Sequence, residues 1–173
     1  MRILPGILSR LDDIRMTESV SATQAQRADW LRVLARSGAD ELERLAAPVL
    51  ADYRFEVLRA PEIGLTMVRA RIGNRGDRFN LGEATLTRCA VRLRAGDGGV
   101  TIGVGHVLGR DEAQAQRIAQ LDALLQRDGL RPLLMRDLIE PLRRARQERD
   151  RDERARTEAS RVRFFALQPE TTA

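Results

Sequence analysis

The 173 residues hold one histidine, His106, and one cysteine, Cys89. Conventional zinc sites take four ligands and iron–sulfur clusters three or four thiolates, so the sequence offers neither metal a site within the chain. A lone cysteine also excludes an intrachain disulfide, which favours a reducing cytoplasm. His106 stands in VTIGVGHVL in register with Val100, Ile102 and Val104, and this spacing predicts an in-facing structural residue rather than a general base. Cys89 alternates with Thr87 and Val91, as a small core residue does. The glycines of GGVTIGVGHVLG have the spacing G-x-G-x-x-x-G inside a strand, which fails the strand–turn–helix requirement of a phosphate cradle. Gly103 and Gly105 are instead expected to admit another backbone or a covering helix at close range. No catalytic residue is assigned.

Two polar features remain. Glu83, Thr85, Thr87 and Arg88 form the most polar patch within a strand, and the first three share a face. They are candidates to hydrogen-bond a ligand or a partner, although threonine is also a good strand former. The second feature is the segment from Arg143 to Arg163, with nine arginines and five acids. All 30 basic residues of the chain are arginine, yet the formal net charge is only +5. Phosphate-backbone binding needs unbalanced positive charge and base stacking needs exposed aromatics, whereas aromatics are 3% of this chain. No nucleic-acid partner is expected. No membrane partner is expected either, because no run approaches the ~20 apolar residues of a spanning helix.

The elements that position these residues emerge from periodicity. Residues 1–22 lack it and read as disordered or as an over-extended start, Met16 being an alternative first residue; Pro5 and Gly6 interrupt the apolar stretch, which is no signal peptide. From Thr23, Trp30, Leu31, Val33 and Leu34 recur at helical intervals up to Ser37-Gly38, and ADELERLAA predicts a second helix stopped by Pro48. The period then becomes two. YRFEVLRA and LTMVRARI read as two strands joined by a turn over Pro61 to Gly64, EATLTRCAVRLR as a third, and VTIGVGHVL, after the AGDGG hairpin loop, as a fourth. Asp111 caps a helix with the stripe Ile118, Leu121 and Leu125, expected to cover one sheet face. Pro132 opens another, with Leu134, Leu138 and Leu142 spaced by fours and a kink or restart at Pro141. The expectation is therefore an α+β domain over residues 23–142: N-terminal helices, a four-stranded antiparallel sheet and a covering helix. Residues 143–173 are expected to form a long charged C-terminal helical arm supported by opposite charges four apart. The arm lacks an apolar stripe and ends in a partner-docking tail, Val162, Phe164 and Phe165.

Five segments, RADWLRVLARS, VLRAPEIGLTMVRARIG, FNLGEATLTRCAVRL, GRDEAQAQRIAQLDALLQ and ASRVRFFAL, resemble the PhnG family of the bacterial carbon–phosphorus lyase system over about Arg27 to Leu167. His106 stands where many relatives carry an aromatic residue. The resemblance implies an accessory subunit of a cytoplasmic phosphonate-degrading core complex with PhnH, PhnI and PhnJ, a hetero-oligomer with two copies of this chain. With PhnI, PhnH and PhnL it would serve the displacement of adenine from ATP by a phosphonate, giving ribose 1-phosphonate 5-triphosphate. ATP and the phosphonate are then substrates of the complex. The iron–sulfur cluster and S-adenosylmethionine belong to PhnJ, and this chain binds no cofactor alone. Under this resemblance Glu83, Thr85, Thr87 and Arg88 are either interface residues or part of a substrate pocket shared between subunits.

Overall fold

The computed structural model describes residues 23–72, 75–94 and 98–160. Residues 1–22, the tail residues Val162, Phe164 and Phe165, and most of the AGDGG loop lie outside them. Two helices, α1 (23–35) and α2 (Ala39–Leu50), precede an antiparallel sheet of β1 (Phe55–Arg71), β2 (Arg78–Arg94) and β3 (Val100–Leu108) in the order β1-β2-β3. Then come α3 (Glu112–Leu125), one turn α4 (Arg131–Leu134), a wide π turn (Met135–Ile139) and α5 (Glu140–Ala159). The architecture is α+β, as the periodicity predicts.

The sheet has three strands rather than four. Pro61 to Gly64 make no turn: β1 runs through them as a single strand of 17 residues. An edge strand tolerates proline because it bonds on one side only. The register against β2 slips between Val57 and Arg59 and again between Arg59 and Glu62, so β-bulges absorb the extra residues around Pro61. Pro48 likewise does not end α2, which continues to Leu50, because in the last turn a missing N–H forfeits a single hydrogen bond. Pro141 comes directly after the π turn, whose wider helix accommodates its ring.

Helix α3 supplies the largest share of the core. The Asp111 carboxylate accepts the Gln114 N–H at 2.8 Å, and Ile118, Leu121, Leu124 and Leu125 are fully buried. The helix lies on the face carrying Thr87, Cys89, Val91 and Leu93, with Trp30, Leu34, Leu42 and Leu142 closing the core. Contact with β3 is made backbone to backbone: a Cβ at Gly103 would stand 1.9 Å from the Ala119 carbonyl oxygen, and one at Gly105 1.9 Å from that of Ala115. The close approach expected of these glycines is present. It also corrects the facing of β3: Gly103, Gly105 and Val107 point inward, while Val100, Ile102 and His106 are exposed.

Strand and helix lengths leave part of the sheet bare. A strand of 17 residues spans about 55 Å, whereas the 14 residues of α3 span about 21 Å. β3 reaches only to Leu108 opposite Leu86, so β1 and β2 continue beyond it as a two-stranded ribbon. α5 docks at its start, where Leu142 is buried and Arg143 pairs with Asp29 at 2.5 Å and Glu140 at 2.9 Å; residues 151–159 are exposed.

Candidate functional site

The strand alternation of β2 divides the polar patch. Glu83, Thr85 and Thr87 lie on the face that α3 covers further along, and coverage ends between them: Thr87 is fully buried, Thr85 half-buried and Glu83 exposed. Thr87 Oγ1 donates to the Gly109 carbonyl at 2.7 Å, which ties β2 to the turn entering α3. Arg88 sits on the opposite face, where its guanidinium pairs with Glu62, itself bonded by Arg59 at 3.1 Å. His106 is its register partner on that outer face. The structure thus brings Glu83 and Thr85 together on open surface and leaves Arg88 behind the sheet.

Cys89 is buried, and its Sγ donates to the Arg59 carbonyl at 3.4 Å. Burial pushes the thiol pKa up, with the Ala90 backbone opposing in part. A thiol kept protonated and enclosed is a core residue. Among the described residues no three His, Cys, Asp or Glu side chains gather as metal ligands, and no helix is long and apolar enough to cross a membrane.

What the geometry does assemble is a ribbon. Register partners share a face, so Leu65 lies beside Thr85 and Met67 beside Glu83, with Ile63 beside Thr87. Leu65 is 67% exposed, Met67 50% and Leu81 63%; near the tip Ile72 and Phe79 are exposed as well, Phe79 beside its partner Ala70 on the opposite side of the ribbon. Two-stranded hairpins are marginal in water, and monomeric proteins rarely leave so much contiguous apolar surface open. The outer face differs. Its β1 and β2 rows are ion pairs, Glu56 with Arg92 and Arg94 and Glu62 with Arg59 and Arg88, flanked by exposed Val100, Ile102 and Leu108 of the edge strand β3.

One functional group of the scaffold is invisible in sequence. Asp122, fully buried in α3, accepts from Arg27 Nη2 at 2.7 Å, Trp30 Nε1 at 2.9 Å and the Val104 N–H at 2.9 Å. It joins α1, α3 and β3 at one carboxylate. In RIAQLDALL an aspartate between leucines reads as a solvent-facing helix position, and its partners lie up to 95 residues away.

The molecule is thus an α+β protein whose distinguishing surface is an uncovered β-ribbon rather than a pocket. The chain belongs to the PhnG family, whose description is phosphonate metabolism protein PhnG and whose sequence model matches residues 25–168. A relative from Rhizobium meliloti (strain 1021), named alpha-D-ribose 1-methylphosphonate 5-triphosphate synthase subunit PhnG, is 42% identical over 150 residues, covering 86% of this chain and 92% of the relative.

Proposed function

We propose that this chain is the PhnG subunit of a cytoplasmic ribose 1-phosphonate 5-triphosphate synthase in organophosphonate catabolism, and that its role is to organise a partner's active site. The reaction displaces adenine from ATP: a bond forms between a phosphonate oxygen and ribose C1′ while the glycosidic bond to adenine breaks. The observation that carries the reading is the bare apolar ribbon, Leu65, Met67 and Leu81, in a chain 42% identical to a named subunit of that synthase. Surface of this kind is stabilised by burial against another protein at about 25 cal/mol per Å². The partners are PhnI, PhnH and PhnJ in a hetero-oligomer with two copies of this chain, with PhnL acting alongside, and the bond-making groups reside in PhnI. ATP and phosphonate are substrates of the complex, while the iron–sulfur cluster and S-adenosylmethionine are held by PhnJ.

Glu83, exposed beside the apolar row, and half-buried Thr85 belong to this interface, and Val162, Phe164 and Phe165 are further partner-docking residues. Native mass spectrometry of the chain alone and co-expressed with PhnH, PhnI and PhnJ tests the proposal. A discrete assembly containing this chain, with poor recovery alone, is the expected result. A monodisperse monomer that ignores those partners would overturn it. Glu83→Ala in the complex separates the two roles open to that residue: lost assembly marks an interface, and lost activity in an intact assembly marks a shared substrate pocket.

A further inference from the structure

The tip of the ribbon breaks the charge pattern of the sheet. On the outer face the arginines of β1 and β2 are matched with acids, Arg59 and Arg88 with Glu62, Arg92 and Arg94 with Glu56, whereas the tip arginines stand on the opposite face, in line with Leu65 and Met67. At the tip, Arg71 and Arg78 are direct register partners, so two guanidiniums project from one face of adjacent strands. Arg69, paired with Asn80, joins them on that face, and Arg75 lies in the turn beyond. The segment 69–80 carries four arginines against one acid, Asp77. Among the described residues none of Arg69, Arg75 and Arg78 has an ion pair, and Arg71 donates only to the Gly76 carbonyl at 3.0 Å. Arg69, Ala70, Arg71 and Arg78 line a shallow depression of about 440 Å³.

Like charges placed directly opposite on a ribbon destabilise it, so this arrangement costs the free chain stability. An anion recovers that cost. Register partners stand about 5 Å apart and same-face neighbours on one strand about 7 Å apart, so the three guanidiniums spread along an anion of several linked charges rather than converging on a single phosphonate. Each fork donates two parallel N–H bonds to phosphoryl oxygens, the geometry in which arginine binds phosphate best.

We propose that the ribbon tip, through Arg69, Arg71 and Arg78, binds the 5′-triphosphate of the nucleotide on which the assembled synthase acts. The apolar part of the ribbon seats on the neighbouring subunit and delivers the arginines to its substrate. This rests on the functional reading above, from which the triphosphate comes.

The test is the co-expressed complex carrying Arg71→Ala and Arg78→Ala together, assayed for its dependence on ATP at saturating methylphosphonate and for inhibition by inorganic tripolyphosphate. Removing two charge-assisted forks should raise the ATP KM and the tripolyphosphate inhibition constant by about 10- to 100-fold, with the methylphosphonate KM within about twofold of wild type. Arg71→Lys with Arg78→Lys should recover part of the loss. Arg94→Ala, which removes a guanidinium paired with Glu56 on the other face, should leave the ATP KM unchanged. Since both tip side chains are exposed and repel one another, the double alanine chain should unfold no earlier than wild type, which separates binding from folding. Unchanged ATP and tripolyphosphate constants in an intact complex overturn the proposal. So does loss of the assembly, which would make the tip a contact for an acidic protein surface. A wild-type complex that assembles without forming the triphosphate product overturns the functional reading itself, an outcome visible before any variant is made.

Discussion

Replacing Asp122 with alanine should unfold the domain at markedly lower denaturant while leaving the ribbon surface untouched. The carboxylate is fully buried, and four donors depend on it: the Arg27 guanidinium, the Trp30 indole, the Val104 backbone N–H and, at 3.3 Å, the Gln126 amide. Breaking a buried charged pair by deleting one partner costs about 3 to 5 kcal/mol, because the remaining groups stay desolvated. Arg27 is 33% exposed, so water solvates part of its orphaned charge and the lower end, about 3 kcal/mol, applies. That is a large share of the ~5 to 15 kcal/mol that holds a typical domain together. For a chain of this size it corresponds to a midpoint about 6 to 12 °C lower. Trp30 is the single tryptophan and sits on the hub, so its fluorescence in a urea titration of the full chain reports the transition. Arg27→Ala should cost less than Asp122→Ala, since a partly wetted charge leaves while the carboxylate keeps its indole and backbone donors. An Asp122→Ala chain within about 0.5 kcal/mol of wild type would refute the claim that this carboxylate clamps α1 and β3 to α3.

Packing and burial give two more expected outcomes. Gly103→Ala or Gly105→Ala places a methyl 1.9 Å from a helix carbonyl, so α3 must lift from β3; each should lower the thermal midpoint by the equivalent of about 1 to 3 kcal/mol or more, measured by circular dichroism. Cys89 should resist a maleimide in the native chain at pH 8 and react fully in urea. Its folded pKa is raised above its unfolded value, so the native state holds the proton longer and the thiol's contribution to stability, intact below the unfolded pKa, is lost as pH rises through the folded pKa. Rapid native labelling would place the thiol at the surface.

The helices and the glycine contacts were legible because their signals are local. Asp111 caps the helix that begins at the next residue, and glycines in a strand alternation announce a close neighbour. Where the reading failed, the deciding partner lay far away in the chain. Proline predicts a turn at Pro61, but a turn is unnecessary when the strand is an edge and bulges take up the slack. In VTIGVGHVL the apolar residues draw attention to the wrong face, because the inner face is made by glycines that bring no hydrophobic signal and leave their volume to a helix backbone. Of the polar patch, the shared face of Glu83, Thr85 and Thr87 was legible from period two. That Thr87 spends its hydroxyl on Gly109 was not, since the bond spans 22 residues.

The same geometry explains why one family member can be stable in its core yet dependent on partners. α3, β3 and the first two helices act on the half of the sheet around Thr87 to Leu93, where the inward side chains of β2 are all buried. Beyond Leu86 no third strand and no helix meets the ribbon among the described residues, so its local stability rests on backbone pairing and cross-strand contacts alone. Opening of the ribbon should therefore be uncoupled from global unfolding. Hydrogen exchange by mass spectrometry on the isolated chain should show fast exchange for Leu65 to Phe79 and slow exchange for Thr87 to Leu93, with the ribbon becoming protected once the complex forms. A ribbon as protected as the α3-backed strands in the free chain would mean that its apolar row is already satisfied, and the argument for a partner seated on Leu65, Met67 and Leu81 would fail.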